Sequence, residues 1–159
     1  MLLCFLLVQT LSHHTFINLV DTKSKKSDKW RYILEKTVWH NSNFYLQVHD
    51  SKLPWLKLFT SKKYKELTEL PKDIKVQMYE LLEVIELVII EYYTPDKVNL
   101  ASFGNMLPHL HWHIIARFKN DPYFPKTTWE EPVREFNLEL PSFNGFIEVL
   151  QKRLNAFEL

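Results

Sequence analysis

Residues 108–115 read Pro108-His109-Leu110-His111-Trp112-His113-Ile114-Ile115, and three of the seven histidines of the chain fall within this stretch. Histidine alternates here with apolar residues, which is the period-2 pattern of a strand whose successive side chains lie on opposite faces. We therefore predict a strand over residues 107–118. Its apolar face packs on the core, and His109, His111 and His113 lie together on the other face.

Such a histidine row has three interpretations. A single histidine such as His40 or His49 is interpreted as structural. That interpretation is weak for three histidines at this spacing, because close imidazoles resist being charged together. Zinc ligation requires all three rings to reach ~2.1 Å from one ion, whereas the ends of the row in a straight strand are ~13 Å apart. An anion-facing row fits an extended phosphate chain, since a neutral imidazole nitrogen attacks phosphorus and a protonated neighbour offsets charge on the oxygens. The third interpretation leads, and a zinc enzyme stays as an alternative.

The composition bounds the kind of protein. The 159 residues are 46% hydrophobic and 25% charged, which suits one compact domain. The formal net charge of +1 argues against nucleic acid as a partner. Cys4 is the only cysteine, so a disulfide framework within the chain is excluded and a reducing, cytoplasmic location is favoured. The apolar run over residues 1–8 is shorter than the roughly 20 residues that a membrane span requires, so we expect no membrane partner.

The remaining patterns predict an α+β fold with an antiparallel β-sheet, a long helix and a C-terminal helix. We expect an N-terminal extension and linker over residues 1–29 and a single domain over residues 30–159. The predicted strands cover residues 43–49, 55–60, 97–103 and 107–118, and the short separation of the first two indicates an antiparallel pair. The predicted helices cover residues 71–93 and 142–157, with Ser142 as the N-cap of the second. The buried face of the first helix should contain Met78, Leu81, Leu82, Ile85, Val88 and Tyr92, and that of the second Phe146, Val149, Leu150 and Leu154. A turn at Gly104-Asn105 should use the glycine for a positive φ or a close approach.

The histidine stretch resembles the motif of the histidine triad (HIT) family, His-φ-His-φ-His-φ-φ with φ apolar, at every position from His109 to Ile115. Residues 99–105 are similar to the strand and glycine-containing turn that precede the triad in that family. Residues 53–56 and 117–129 look like a bacterial branch often labelled diadenosine-tetraphosphate-hydrolase-like. The likeness covers roughly residues 42–130.

The resemblance implies a HIT-like fold, usually a homodimer, that acts as a nucleotidyl hydrolase or transferase on a nucleoside phosphate. It implies that His111 attacks the α-phosphorus and forms a nucleotidyl-histidine intermediate, that His113 contacts the phosphate and the leaving-group region, and that His109 orients the nucleophile. It also implies nucleotide or phosphate contacts at four further positions: Asn99, Gly104, Asn105 and Asp50. For Asp50 the rival interpretation is an ordinary turn residue. No metal is required at the triad, although a divalent ion can accompany the substrate.

Two positions depart from the family pattern. Many members carry another histidine on the strand after a proline, where the nearest residue here is Leu56 beside Trp55. Some carry Ser or Thr just after the turn, where this chain has Met106. These departures leave a second hypothesis open, a nucleotide-binding module with little catalysis.

Overall fold

The computed structural model describes residues 36–157, which form five strands and two long helices. The strands pair antiparallel throughout in the order β1-β2-β3-β5-β4. They span Thr37–His40 (β1), Phe44–Val48 (β2), Trp55–Thr60 (β3), Lys97–Ala101 (β4) and His111–Arg117 (β5), and the helices span Lys72–Tyr93 (α1) and Phe143–Asn155 (α2). The predicted α+β architecture is confirmed, and our predictions for residues 1–29 and for a domain start at residue 30 lie outside the described residues.

Strands β2 and β3 form the hairpin that the sequence predicts. Tyr45 lies opposite Phe59, and Gln47 lies opposite Lys57. The backbone N–H of His49 donates to the carbonyl of Trp55 at 2.9 Å and extends the pairing past the end of β2. The preceding strand, β1, was not predicted, because its four residues are too few to show a period.

Strand β5 begins at His111. The prediction that all three histidines belong to one strand was therefore wrong for His109. Pro108 has no N–H to give to a ladder. The backbone N–H of Leu110 donates to the carbonyl of Tyr64 at 2.7 Å instead of to a neighbouring strand. His109 therefore precedes the regular strand. The strand predicted over residues 97–103 is likewise shorter and ends at Ala101.

The hydrophobic core lies between one face of the sheet and the two helices. On the sheet side, the core cluster includes Leu46, Leu56, Leu58, Leu110 and Ile114. Lys57 and Phe59, which alternate with two of these leucines on β3, lie on the opposite face with His111 and His113. The helices thus cover one face, and the histidines occupy the other.

Helix α1 follows the predicted apolar stripe except at its last turn. Every predicted position from Met78 to Val88 is buried, but Tyr93 is buried in place of Tyr92, which is only half-buried. Thr94 ends the helix in the left-handed region, with φ of 45° and its N–H bonded to the carbonyl of Ile90. Within residues 36–157, no helix combines the length and the apolar character needed to cross a membrane.

Gly104 does not need the conformational freedom of glycine. It has no positive φ, and a Cβ there would meet nothing nearer than the carbonyl oxygen of Leu107 at 3.5 Å, an ordinary contact. Our prediction that the backbone requires glycine at this turn was therefore wrong.

Helix α2 begins as predicted, with the side chain of Ser142 accepting a hydrogen bond from the N–H of Gly145. Phe146, Leu150 and Leu154 are buried against α1 and the sheet, but Val149 is 43% exposed, so its predicted place in the core was wrong. One turn of helix therefore carries both a core side chain and a surface side chain.

These neighbours give a matched stability test. Leu150→Ala removes a fully buried side chain and should lower the free energy of unfolding by about 2–5 kcal/mol. Val149→Ala removes little buried surface and introduces a better helix former, so we expect a change within about 0.5 kcal/mol. Urea denaturation of both variants checks this, and equal losses would contradict the assigned faces of α2.

Candidate active site

The three histidine rings lie on the face of the sheet away from the helices, where His109 and His111 pack against Phe59 and His113 lies beside His111. His111 and His113 lie opposite Phe59 and Lys57 on β3, and their ring centres are 4.9 Å apart. His109, just before β5, places its ring centre 5.5 Å from that of Phe59. The expected side-by-side arrangement is therefore present, although only two of the rings belong to the regular strand.

Each ring has a hydrogen-bond partner that fixes its neutral tautomer. Nδ1 of His111 lies 2.7 Å from the carbonyl oxygen of His109 and must carry the proton, because a carbonyl only accepts. Nε2 of His109 donates in the same way to the carbonyl of Thr60 at 2.8 Å. The indole Nε1 of Trp55 donates to Nδ1 of His113 at 2.9 Å, so the proton of neutral His113 is on Nε2.

Burial keeps the histidine row uncharged. His111 and His113 are each 7% exposed. Desolvation lowers the pKa of His109 and of His111 below 6.5, and it lowers the pKa of His113 to about 3, with His111, His49 and Lys57 adding smaller contributions in the same direction. The protonated neighbour that we expected beside the nucleophile is thus not favoured in the free protein. Lys57 contributes a fixed positive charge near His111 and His113.

A stack of aromatic rings runs from β2 to the middle histidine. The rings of Tyr45 and Phe59 are parallel within 2° at 4.9 Å between centres, and Phe59 and His111 are parallel within 16° at 4.6 Å. The imidazole ring of His111 is therefore restrained twice, by its hydrogen bond to the carbonyl of His109 and by its stacking on Phe59. A side chain held on two sides keeps its attacking nitrogen in a narrow range of directions.

Four further side chains surround His113, and the sequence reasoning did not place them in the site. Trp55 and Trp129 contact its ring edge-on at 5.5 and 5.2 Å, and His49 and Phe103 lie at 6.1 and 6.5 Å between ring centres. We had interpreted a lone histidine such as His49 as structural. Strand alternation places His49 on the same face as Tyr45 and Gln47. The register with β3 shows that this is the face of the histidine row.

Leu56, compared above with the extra histidine of many family members, and its neighbour Trp55 lie on opposite faces of the sheet. Leu56 is fully buried in the core opposite Ile114, on the side of the helices. Trp55, one residue earlier, lies on the histidine face and contacts His113 directly. Of these two residues, Trp55 is therefore the one that lies beside the histidine row.

Residues 118–134, which follow β5 and are called the wall segment below, form a wall beside His113 and are held by buried charges. Arg117 and Asp121 are 3% and 0% exposed and form an ion pair of 2.7 Å. Asp121 also accepts hydrogen bonds from three backbone N–H groups of the segment. Arg134 donates to three of its backbone carbonyls. These contacts fix the loop that brings Trp129 against His113.

Two cavities flank the histidine row. The first, of 480 Å³, is lined by His111 together with Ser102, Gly104, Asn105 and Lys65. The second, of 630 Å³, is lined by His49, Asp50, Trp55, Trp129 and Arg134, among other residues. The predicted residues are thus divided, with Gly104 and Asn105 beside His111 and Asp50 on the side of Trp55.

Of the other residues singled out in the sequence, neither Asn99 nor Met106 lines either of these two cavities. Asn99 is on β4 opposite Ile115, and its side-chain oxygen accepts a hydrogen bond from Arg117 at 2.8 Å. It therefore helps to anchor the wall segment. Met106 is fully exposed. Ser102, which the sequence reasoning missed, ties the end of β4 to β5 by donating to the carbonyl of His111 at 2.9 Å.

The described part of the chain contains no set of side chains arranged to bind a metal ion. Among residues 36–157, no three His, Cys, Asp or Glu side chains are placed so that they could hold one ion. Instead, one nitrogen of each histidine ring is engaged in a hydrogen bond. His109 and His111 bond to backbone carbonyls, and His113 bonds to the Trp55 indole.

The sequence of this chain matches a known protein family. The model of the HIT domain family matches residues 34–120, more than half of the chain and all of the histidine row. The chain belongs to the HIT family. It therefore has the fold of a family of nucleotide-binding hydrolases and transferases. No curated protein gave a match.

Solved structures of HIT proteins superpose on the chain. A histidine triad protein from Bradyrhizobium japonicum has a TM-score of 0.64 and 26% identity, with 77% of this chain and 93% of that one covered. One from Sinorhizobium meliloti 1021 has a TM-score of 0.61 and 18% identity, over 80% and 94% of the two chains. One from Marinobacter aquaeolei VT8 has a TM-score of 0.59 and 23% identity, over 78% and 90%. The last two support the fold alone.

The low pKa of His113 predicts how stability depends on pH. Between pH 6.5 and about 3 the unfolded chain binds a proton at this residue and the folded protein does not, so stability falls as pH falls through this window. His113→Asn removes the titration and keeps an oxygen that can accept from Trp55. Between pH 6 and 4.5, the slope of unfolding free energy against pH should decrease by up to about 1.4 kcal/mol per pH unit. Urea denaturation across this range measures the slope, and an unchanged slope would argue against a buried neutral His113.

Proposed function

We propose that this HIT-family protein is a nucleotidyl hydrolase or transferase that acts on nucleoside phosphates, of the dinucleoside polyphosphate or nucleoside phosphoramidate type. The observation that carries the proposal is the hydrogen bond from Nδ1 of His111 to the carbonyl of His109. It leaves the lone pair of His111 on Nε2, in a neutral and oriented ring beside His113. The likeness of residues 53–56 and 117–129 to the diadenosine-tetraphosphate-hydrolase-like branch supports the polyphosphate type of substrate.

The reaction would proceed in two displacements. Nε2 of His111 attacks the α-phosphorus, the P–N bond forms, and the bond to the leaving group breaks with its electron pair on the leaving group. Water or another acceptor then attacks the same phosphorus, the P–N bond breaks, and its electron pair returns to Nε2. The proton of an attacking water passes to solvent, and His109 keeps His111 oriented in both steps through its carbonyl.

The two cavities suggest where the substrate binds. Beside His111, exposed backbone at Gly104 and Asn105 and the ammonium of Lys65 suit a phosphate chain. On the other side, Asp50 is exposed at the edge of a cavity walled by Trp55 and Trp129, which suits a ribose hydroxyl and a flat base. Lys57 supplies positive charge between the two.

A homodimer and a cytoplasmic location complete the proposal. Val76, Tyr79, Leu87 and Ile90 recur at helical spacing on the outer side of α1 and are 44–49% exposed. Strand β4 ends the sheet of the described residues, and an edge strand has backbone groups available for pairing. A second copy would cover this stripe and edge. The single cysteine agrees with a reducing compartment.

The nucleophile is tested by substitution. His111→Asn should reduce turnover of a dinucleoside polyphosphate and of an adenosine phosphoramidate by several orders of magnitude, because no other ring in the row has the same free nitrogen beside the α-phosphorus. His40→Asn, at an exposed histidine at the end of β1, is the matched control and should keep full activity.

Intact-mass measurement after quenching gives the direct readout. The wild-type protein should gain the mass of one nucleotidyl group, and His111→Asn should not. Undiminished turnover in His111→Asn would contradict covalent catalysis. Binding of nucleotide with no turnover in the wild type would favour the binding-module hypothesis instead.

The dimer is tested on α1. Leu87→Glu places a charge in the middle of the exposed stripe and should shift the protein from dimer to monomer in sedimentation velocity. Val149→Glu makes the same change at a similarly exposed position of α2 and should remain dimeric. A monomeric wild-type protein, or equal behaviour of the two variants, would count against this interface.

A further inference from the structure

The hydrogen bond between Trp55 and His113 restricts what the third histidine can do. An indole nitrogen has a proton and no acceptor lone pair, so it can only donate. Its partner, Nδ1 of His113, lies 2.9 Å away in a buried contact and must present a lone pair. Protonation of Nδ1 would point two N–H groups at each other. The ring is therefore held with its proton on Nε2.

The surroundings of His113 reinforce this state. The titratable or charged groups that act on it are His111 on its own strand, Lys57 on β3 and His49 after β2, and all three lower its pKa. Strand β4 places Ala101 opposite, and the wall segment contributes the uncharged ring of Trp129. None of these groups is a carboxylate that would stabilise an imidazolium.

A histidine in this state can donate a hydrogen bond, but it is a poor general acid. An imidazole that gives up its Nε2 proton avoids becoming an anion by taking a proton at Nδ1. In this protein, Nδ1 of His113 accepts a hydrogen bond from the Trp55 indole N–H, and the indole does not release its proton to it. A leaving group that departs as a stable oxygen anion needs only the hydrogen bond from Nε2. An amine leaving group needs a full proton on its nitrogen.

We propose that Trp55 is a positioning residue that holds His113 as a neutral donor, so that the protein cleaves nucleotides from acidic oxygen leaving groups, such as the phosphate of a polyphosphate, in preference to amines. This inference rests on the proposed function and selects between its two substrate types. The electron pair of the broken P–O bond stays on the leaving oxygen, and no proton transfer from the protein is required.

The test compares leaving groups on one nucleotide. Aryl esters of adenosine monophosphate with phenols of graded acidity are assayed beside an adenosine phosphoramidate. In the wild type, the rate of nucleotidyl-enzyme formation should rise steeply with phenol acidity, and the phosphoramidate should be the slowest substrate. Trp55→His supplies a ring that can exchange protons with Nδ1. It should flatten the dependence and raise the phosphoramidate rate relative to the most acidic ester by on the order of 10²-fold.

Two other variants separate the hydrogen bond from packing. Trp55→Phe keeps a ring but frees Nδ1, and it should also improve the phosphoramidate relative to the esters, with a new acidic limb in its pH profile. Trp129→Phe replaces the other indole that packs against His113. Among the described contacts, Trp129 has no hydrogen bond to the His113 ring, unlike Trp55. Whatever it does to the rate, the dependence on phenol acidity should stay as steep as in the wild type.

Nitrogen-15 NMR of the full protein tests the tautomer without activity. Long-range proton–nitrogen correlations should show His113 as the Nε2–H form, with Nδ1 unprotonated at pH 5. A proton on Nδ1, a shallow dependence on phenol acidity in the wild type, or equal rates for amine and phenol substrates would overturn the inference. Absence of any nucleotidyl adduct with every substrate would instead overturn the proposed function.

Discussion

Strand β5 is hydrogen-bonded on both sides, to β3 and to β4, and this double pairing sets the positions of His111 and His113. The register with β3 puts Phe59 opposite His111 and Lys57 opposite His113. A shift of one residue would turn the histidines into the core and bring Trp112 and Ile114 to the surface. The apolar contacts of Ile114 with the helical side of the sheet make that shift costly, so core packing and site geometry are fixed together.

The elements that the sequence predicted well are those determined by local patterns. The stripe of α1, the Ser142 cap of α2 and the β2–β3 hairpin depend on residues within a few positions of each other. The predicted start of β5 failed because Leu110 bonds to Tyr64, a residue 46 positions away in sequence. No local period contains that information.

The site shows the same division. The gathering of His109, His111 and His113 followed from strand alternation and from the family motif. The rings that surround His113 come from β3, from the end of β2 and from the wall segment, and their meeting depends on register and on a loop path. The place of Trp55 in the site was not predicted, because the pairing partner that decides its face lies on β5.

The wall segment is held in a way that has a consequence for variation. Asp121 binds backbone N–H groups and Arg134 binds backbone carbonyls, so neither anchor depends on the side chains at the positions it holds. The residues between the anchors can therefore change while the loop keeps its course beside His113. Divergence of the sequence in this segment is therefore compatible with an unchanged path of its backbone.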